Sequence, residues 1–204
     1  TKFKNEGHQF FSIVDYDNFI DAIQQCVLKY NIDLIVMGTK GASGLQKVLF
    51  GSNTVRVINR CTTPLLAIPS GCNYHKLKKI AFTANHIELY TKKTLATLSA
   101  MLADYNAKLT ILHLADANAI AHKRVDNMTF LDTNFPDAAH EYIDVVDKDI
   151  VNTISDYMNN QDFDMLTMVK KPHSFLERLL HTYTVEKIAY NFNLPFLVLT
   201  NPDS

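Results

Sequence analysis

An internal repeat limits the folds open to this chain more than any other feature of its sequence. Three pairs of segments occur in the same order, the first and third pairs 131 positions apart and the second pair 130. The pairs are DLIVM (33–37) with DMLTM (164–168), LFGSNTVRVI (49–58) with LLHTYTVEKI (179–188), and PLLAIPS (64–70) with PFLVLTN (195–201). Because the order of the matches is kept, we interpret the chain as two copies of one structural unit.

Hydrophobic patterns predict alternating strands and helices within each copy. Short apolar runs bounded by turn residues are typical of parallel strands buried on both faces, and apolar residues spaced by three or four indicate helices. In the first copy we predict a short extended segment (8–14), helices over 16–30 and 45–60, and strands over 32–37 and 64–69. In the second copy we predict strands over 79–83 and 109–114, a helix over 89–105 and a polar helix or loop over 115–126. This alternation predicts an α/β fold with a doubly wound sheet.

The copies differ in length. We assign residues 1–70 to the first domain, 71–78 to a linker and 79–204 to the second domain, which has room for five strands. The first domain would then lack its N-terminal half, about 60 residues for a domain of usual size. In that case the segment 8–14 has no partner strand, the strand 32–37 has an open edge, and another chain or a retained piece should complete the domain.

Composition and charge exclude several classes of protein. A net charge of −1 does not suit a nucleic-acid surface, which is usually basic. Three cysteines without a CxxC pair indicate a reducing compartment and no disulfide framework. No apolar run of about 18 residues, no signal peptide and no histidine–carboxylate spacing typical of a metal site is evident. We therefore expect a cytoplasmic protein without nucleic acid, membrane or metal as a partner.

A glycine-rich stretch carries the clearest chemical signal. It reads MGTKGASGLQKVLFGSN (37–53) and lies where a buried strand is predicted to end and a helix to follow. Glycines allow the backbone to approach a ligand closely, and amides at a helix N-terminus favour phosphate. Ser52 and Asn53 add side-chain donors, and ligands of open α/β sheets bind at the carboxyl ends of the strands. There is no GKS or GKT, so this is not a Walker loop.

The spacing Gly38-x2-Gly41-x9-Gly51-Ser52 resembles the ATP-binding signature of the universal stress protein family, as do Thr54 and the closing strand PLLAIPS. The resemblance implies a fold like that of adenine nucleotide alpha hydrolases, with strand order 3-2-1-4-5 in each copy. It also implies an ATP site, with or without Mg²⁺, in the first domain. By matching position, the residues that would border ribose and adenine are Met37, Gly38 and Thr39, and those that would hold the phosphates are Gly41, Gly51, Ser52 and Asn53. The family's aspartate at the end of its first strand has no counterpart in the first copy, so binding is expected to be weak or absent if that half is missing.

The second copy departs from the family's pattern at each of these positions. The substituted positions are Val169 and Pro172 for the first two glycines, His181 and Thr182 for the Gly-Ser pair, and Asn85 for the aspartate. Proline removes an amide donor, and side chains would fill the space a phosphate needs. We expect no family-type ATP binding here, and instead a role in dimerisation, in regulation or in binding another ligand.

Two functions remain open, and a third has no support. The chain is either a nucleotide-binding stress sensor or switch, or a scaffold whose function is dimerisation without nucleotide. The sequence contains no Ser–His–Asp spacing that would suggest acyl transfer, and no general base for ATP hydrolysis is evident. We therefore expect that the chain is not an enzyme, apart from weak ATP hydrolysis. A nucleotide hydrolase of related fold would need a phosphate loop near its first strand, where this chain has TANH (83–86). The last strand of each copy could join sheet edges, giving a homodimer or an intramolecular pseudo-dimer.

Overall fold

The parts of the chain that a computed structural model describes, residues 7–39, 51–84, 89–114, 121–143, 150–170 and 194–200, contain seven strands and five helices. The strands are β1 (Ile35–Gly38), β2 (Leu65–Ile68), β3 (Lys79–Ala84), β4 (Lys108–Leu114), β5 (Ala139–Ile143), β6 (Met165–Lys170) and β7 (Phe196–Thr200). The helices are α1 (Phe19–Tyr30), α2 (Ser52–Arg60), α3 (Lys92–Tyr105), α4 (Ala121–Asn134) and α5 (Ile150–Asn160). The α/β class predicted from the sequence is confirmed.

All seven strands belong to one sheet, with the order β1-β2-β7-β6-β3-β4-β5. The five strands of the second copy lie in the order β5-β4-β3-β6-β7 and are parallel to one another, which is the predicted order 3-2-1-4-5. In the first copy, β1 and β2 are parallel neighbours, as strands 4 and 5 of the same order would be. Since the sheet continues from one copy into the other, the boundary at 71–78 stays a prediction; these residues contain neither helix nor strand.

The only antiparallel pairing in the described sheet joins the last strands of the two copies. Leu66 of β2 lies opposite Leu197 of β7, and these residues are 131 positions apart, the offset of the sequence repeat. On either side of them the pairing is Leu65 with Val198 and Ala67 with Phe196. At the offset of 131, Val198 is the counterpart of Ala67 and Phe196 is the counterpart of Leu65. This exchange of partners about the Leu66–Leu197 pair is what a local twofold axis requires. The intramolecular edge pairing that the sequence left open is present in this chain.

The segment 8–14, predicted to be extended and to have no partner strand, forms no strand in the structure. The chain forms two compact units, residues 1–32 and residues 33–204, and this segment belongs to the first. Its backbone has no regular secondary structure, and Phe10, Phe11 and Val14 are more than three-quarters exposed. An extended segment becomes a strand only when a neighbour accepts its hydrogen bonds, and local sequence does not supply that neighbour.

Side-chain caps set where the helices begin. The Asn18 side chain accepts a hydrogen bond from the amide of Asp21, so α1 begins at residue 19 rather than at the predicted 16. Thr91 does the same for the amide of Thr94, so α3 begins at 92 rather than 89. A continuous helix over 45–60 is also wrong, because Gly51 is extended (φ −64°, ψ 159°) and α2 begins after it.

The core lies mainly between the sheet of the second copy and its helices. Side chains of the central strands are almost fully buried, among them Phe82, Ile111 and Leu197, and they pack with Leu98 of α3 and Leu131 of α4. This burial holds the carboxyl ends of the strands at one edge of the sheet. Among the described helices, none has the length and apolar character that crossing a membrane would require.

Candidate functional site at the end of β1

The carboxyl end of β1 and the start of α2 lie together and form the candidate site. The Thr39 amide continues the pairing of β1 with β2 by donating to the carbonyl of Ile68 (3.0 Å). Where the chain returns, the Gly51 amide donates to the carbonyl of Thr39 (2.5 Å). The buried Thr54 hydroxyl donates to the carbonyl of Gly38 (3.1 Å). These two bonds fix the first turn of α2 against the end of the strand.

The N-terminus of α2 has no side-chain cap. Gly51 is the N-cap residue and has no side chain to accept from the amides of the first turn. Residues 52 and 53 are exposed, and the first turn contains no acidic residue. The first-turn amides, which have no partner within the helix, and the helix dipole give this end a partial positive charge. The arrangement favours an anion that supplies acceptor oxygens.

The backbone does not require glycine at position 38 or at position 51. Gly51 has a φ that any L-residue can adopt. A Cβ placed on Gly38 would have the Ile68 carbonyl oxygen as its nearest described neighbour, 4.0 Å away, and Gly38 is exposed. The described residues around Gly38 leave space that a side chain could occupy. Keeping that space open allows a ligand to approach the backbone.

The structure brings six of the seven residues of the sequence prediction to this place. They are Met37, Gly38 and Thr39 at the end of β1, and Gly51, Ser52 and Asn53 at the start of α2. Met37 is half-buried, Gly38 is exposed and Thr39 is buried. Gly41 lies outside the described residues, as do Asn85, Pro172, His181 and Thr182 of the second copy.

At the equivalent end of β6, the second copy has a lysine that the sequence analysis did not single out. Lys170 stands 131 positions after Thr39, and its ammonium group donates to the carbonyl of Asn59 near the C-terminus of α2 (2.8 Å). A cation suits that end of a helix. Burial lowers the pKa of Lys170, and the neighbouring Cys61 partly offsets this. The only sequence signal was a lysine ending a buried strand.

A second group of polar side chains, also missed, lies at the end of β4. Nε2 of the buried His113 is 2.9 Å from Nδ1 of His140, and the two rings are stacked. Nε2 of His140 is 3.1 Å from a carboxylate oxygen of Asp132. Because a carboxylate only accepts, Nε2 of His140 is the donor to Asp132. The described residues contain no group of three or more side chains suited to holding a metal ion.

Comparisons with known proteins agree with the motif and the fold. Residues 3–69 match the universal stress protein family. No curated protein sequence is significantly similar to the chain. A universal stress protein from Archaeoglobus fulgidus DSM 4304 superposes with a TM-score of 0.59 and 16% identity, over 89% of this chain and 66% of its own. A functionally unknown protein from Pseudomonas aeruginosa PAO1 gives 0.60 and 14%, over 92% and 69%.

These structural likenesses show the fold alone, since the identities are low. The chain spans about two thirds of the length of both structures. An Archaeoglobus fulgidus universal stress protein in complex with dAMP aligns with a TM-score of only 0.39 and 10% identity, over 61% of this chain and 99% of its own. A likeness that weak carries no argument about the ligand of this chain.

Proposed function

This chain belongs to the universal stress protein family through residues 3–69, and we propose that it binds an adenine nucleotide, ATP, at the end of β1. The matched segment contains the whole glycine motif. Nucleotide binding would act as the signal of a stress-response sensor or switch. In this proposal the phosphates lie against the glycine loop and the first turn of α2, and the ribose and base lie toward Met37 and Gly38.

One observation carries the proposal: the start of α2 is held in place, and its N-cap residue, Gly51, supplies no side-chain cap. Two hydrogen bonds from Gly51 and Thr54 fix the helix to β1, so its amides are oriented before any ligand arrives. A capping Ser, Thr, Asp or Asn in place of glycine would stabilise the start of the helix by roughly a few tenths of a kcal/mol. Glycine is the N-cap residue that leaves the most room for an external acceptor.

We assign no catalytic residue. The six described site residues are methionine, glycine, threonine, serine and asparagine, and none of these side chains is ionised at neutral pH. A general base must accept a proton from the attacking group, and these side chains are poor bases. The proposal is therefore binding with slow turnover at most, and Mg²⁺ would be bound by the phosphates rather than by a protein cage.

A scaffold function is the second candidate, and the joined sheet edges favour it. The pairing of β2 with β7 makes one continuous sheet, and Lys170 of the second copy reaches Asn59 of the first. Assembly of this kind needs no nucleotide. The two candidates differ in one respect that can be measured, namely whether ATP binds at all.

Calorimetric titration of this chain with ATP and Mg²⁺ tests the proposal. We expect saturable heat that Gly51→Val abolishes, because the side chain would occupy the phosphate position while the backbone at φ −64° accepts valine. Ser52→Ala should weaken binding by about threefold to tenfold, the effect of one hydrogen bond. Ser99→Ala, at an exposed serine of α3, is the matched control and should change nothing. The titration extends to millimolar ATP so that weak binding is detected, and absence of heat with the unmodified chain at that concentration would contradict ATP binding by this chain and leave the scaffold.

A further inference from the structure

The segment that connects β2 to β3, residues 69–78, is attached at its far end to the turn before β6. Asp164 makes the attachment, since one of its carboxylate oxygens accepts from the amides of Lys78 (2.6 Å) and Lys79 (2.8 Å). Its other oxygen lies 2.9 Å from Nε2 of His75. The Asp164 amide also donates to the Lys79 carbonyl (2.9 Å). One aspartate thus holds the backbone at the start of β3 and, separately, the imidazole ring of His75.

The two ring nitrogens of His75 both face groups that only accept hydrogen bonds. Nε2 faces the Asp164 carboxylate, and Nδ1 is 3.1 Å from the carbonyl oxygen of Asn73. A neutral imidazole carries one N–H and donates to only one of the two acceptors, whereas an imidazolium donates to both. The observed contacts therefore fit the protonated ring. That form also carries the positive charge that a salt bridge with Asp164 needs.

The elements that surround this ring carry further charged and titratable groups. The Lys79 ammonium group is engaged elsewhere, because it donates to the Gln161 carbonyl (3.1 Å). On α3, a hydrogen bond with Tyr74 raises the pKa of Tyr105, as do burial and the charge of Asp104, so Tyr105 stays neutral where histidine titrates. The remaining charged residues of these elements are exposed, namely Lys76 and Lys78 in the connecting segment, Asp162 in the turn before β6 and Lys108 at the start of β4.

We propose that His75 and Asp164 form a proton-dependent latch on the connecting segment. When the ring is an imidazolium, it ties the Asn73 carbonyl to Asp164 and holds residues 73–77 against the turn before β6. When the ring loses a proton as the pH rises, it keeps a donor for only one of the two acceptors, and the latch opens. Histidine is the side chain whose ordinary charge change falls between about pH 5 and about pH 8.

Opening of the latch is local, because the start of β3 has its own bonds to Asp164. The amides of Lys78 and Lys79 bind the other carboxylate oxygen, so they remain attached when the ring lets go. The His75 side chain is 51% exposed, and protons reach it from solvent without unfolding. The closed latch binds one proton more than the open one, so it stabilises the fold at low pH and this contribution is lost as the pH rises. The device does not depend on nucleotide binding.

Nitrogen-15 spectra of the histidine rings in the whole chain, recorded across the histidine range, test the latch directly. At about pH 5.5 we expect both ring nitrogens of His75 to carry a proton, and the amide signals of residues 73–77 to shift with the same midpoint as the ring. His75→Gln should raise the equilibrium constant for unfolding in urea about twofold to fivefold at about pH 5.5, the effect of a partly exposed ion pair, and by less at about pH 8.5. His8→Gln, at another exposed histidine, is the matched control and should show no such pH dependence.

Asp164→Asn is the second variant, and it should reverse the response to pH. Its carbonyl oxygen still accepts from the amides of Lys78 and Lys79, while the new NH₂ group is a donor that faces Nε2. A neutral ring then accepts at Nε2 and donates to Asn73 from Nδ1, so the latch should close as the pH rises. A His75 ring that is neutral at about pH 5.5 would overturn the proposal. So would amide signals of residues 73–77 that do not follow the ring, an effect of His75→Gln that is constant with pH, or an unchanged response in Asp164→Asn.

Discussion

Thr54 is the residue that ties the first turn of α2 to the end of β1. Its side chain is buried and its hydroxyl donates to the Gly38 carbonyl. Thr54→Val keeps the shape and removes that hydrogen bond, so we expect the free energy of unfolding in urea to fall by about 1–2 kcal/mol. Thr133→Val removes a comparable bond to the Thr129 carbonyl on the exposed side of α4 and should cost less than about 0.5 kcal/mol. Equal decreases in the free energy of unfolding for the two variants would show that the hydrogen bond from Thr54 to Gly38 stabilises the fold no more than an exposed one.

Gly51 separates ligand binding from stability better than any other residue of the site. Gly51→Asp would place a carboxylate where it can accept from the first-turn amides of α2, and glycine at this N-cap provides no such cap. We expect the free energy of unfolding to rise by about 0.3–1 kcal/mol, because a capping carboxylate stabilises the N-terminus of the helix. The same carboxylate repels phosphate, so ATP binding should be lost. A variant that is destabilised and still binds ATP would contradict this geometry.

Cys61 should make stability depend on alkaline pH. Burial raises the pKa of its thiol, and the Lys170 ammonium group partly offsets this. A raised folded-state pKa favours folding below the ordinary value and loses that contribution as pH rises through the folded value. The unfolding free energy of the native chain should therefore decline toward that of Cys61→Ala between about pH 8 and about pH 10. A constant difference in urea unfolding across that range would show that the thiol does not titrate in this way.

At the scale of the elements, local sequence predicts the bodies of helices better than their starts or the pairing of strands. The apolar spacing located α1 and α3, but the caps Asn18 and Thr91 moved each start by three residues. The segment 8–14 has the composition of a strand, but whether it finds a partner strand depends on the tertiary structure and not on the local sequence pattern. The order 3-2-1-4-5 in the second copy was predicted from the family resemblance, because hydrophobic periodicity locates strands but does not give their order in the sheet.

The antiparallel pairing of β2 with β7 allows the packing on its two sides to be compared by matched substitutions. Leu66 and Leu197 face each other, but Leu197 is fully buried and Leu66 is half-buried. Leu197→Ala should lower the unfolding free energy by about 2–4 kcal/mol because it leaves a cavity in the core. Leu66→Ala should lower it by about 1–2 kcal/mol, since less apolar surface is lost. Equal effects in urea unfolding would mean that the two sides of the joint are packed alike.

At the scale of the molecule, the two copies share a pattern of elements and differ at the ends of their strands. The elements α1, β1 and β2 recur as α5, β6 and β7 at the repeat offset to within one residue, while the duplication itself stays a prediction. In the first copy Gly38 at the end of β1 is exposed, and Gly51 gives the start of α2 no side-chain cap. In the second, Val169 is buried and Lys170 binds Asn59. The glycine spacing could be found in the sequence; the contact of Lys170 could not, because it joins residues 111 positions apart.

The most direct test of the account is to map where ATP binds on the isotope-labelled chain by amide chemical shifts. We predict saturable shifts at the amides of residues 37–39 and 52–54 and none at Val169 and Lys170, because the proposed nucleotide lies between the end of β1 and the start of α2. Gly51→Asp should abolish these shifts while the rest of the spectrum is kept. Shifts centred on the end of β6, or no shifts at millimolar ATP, would contradict the assignment of this site.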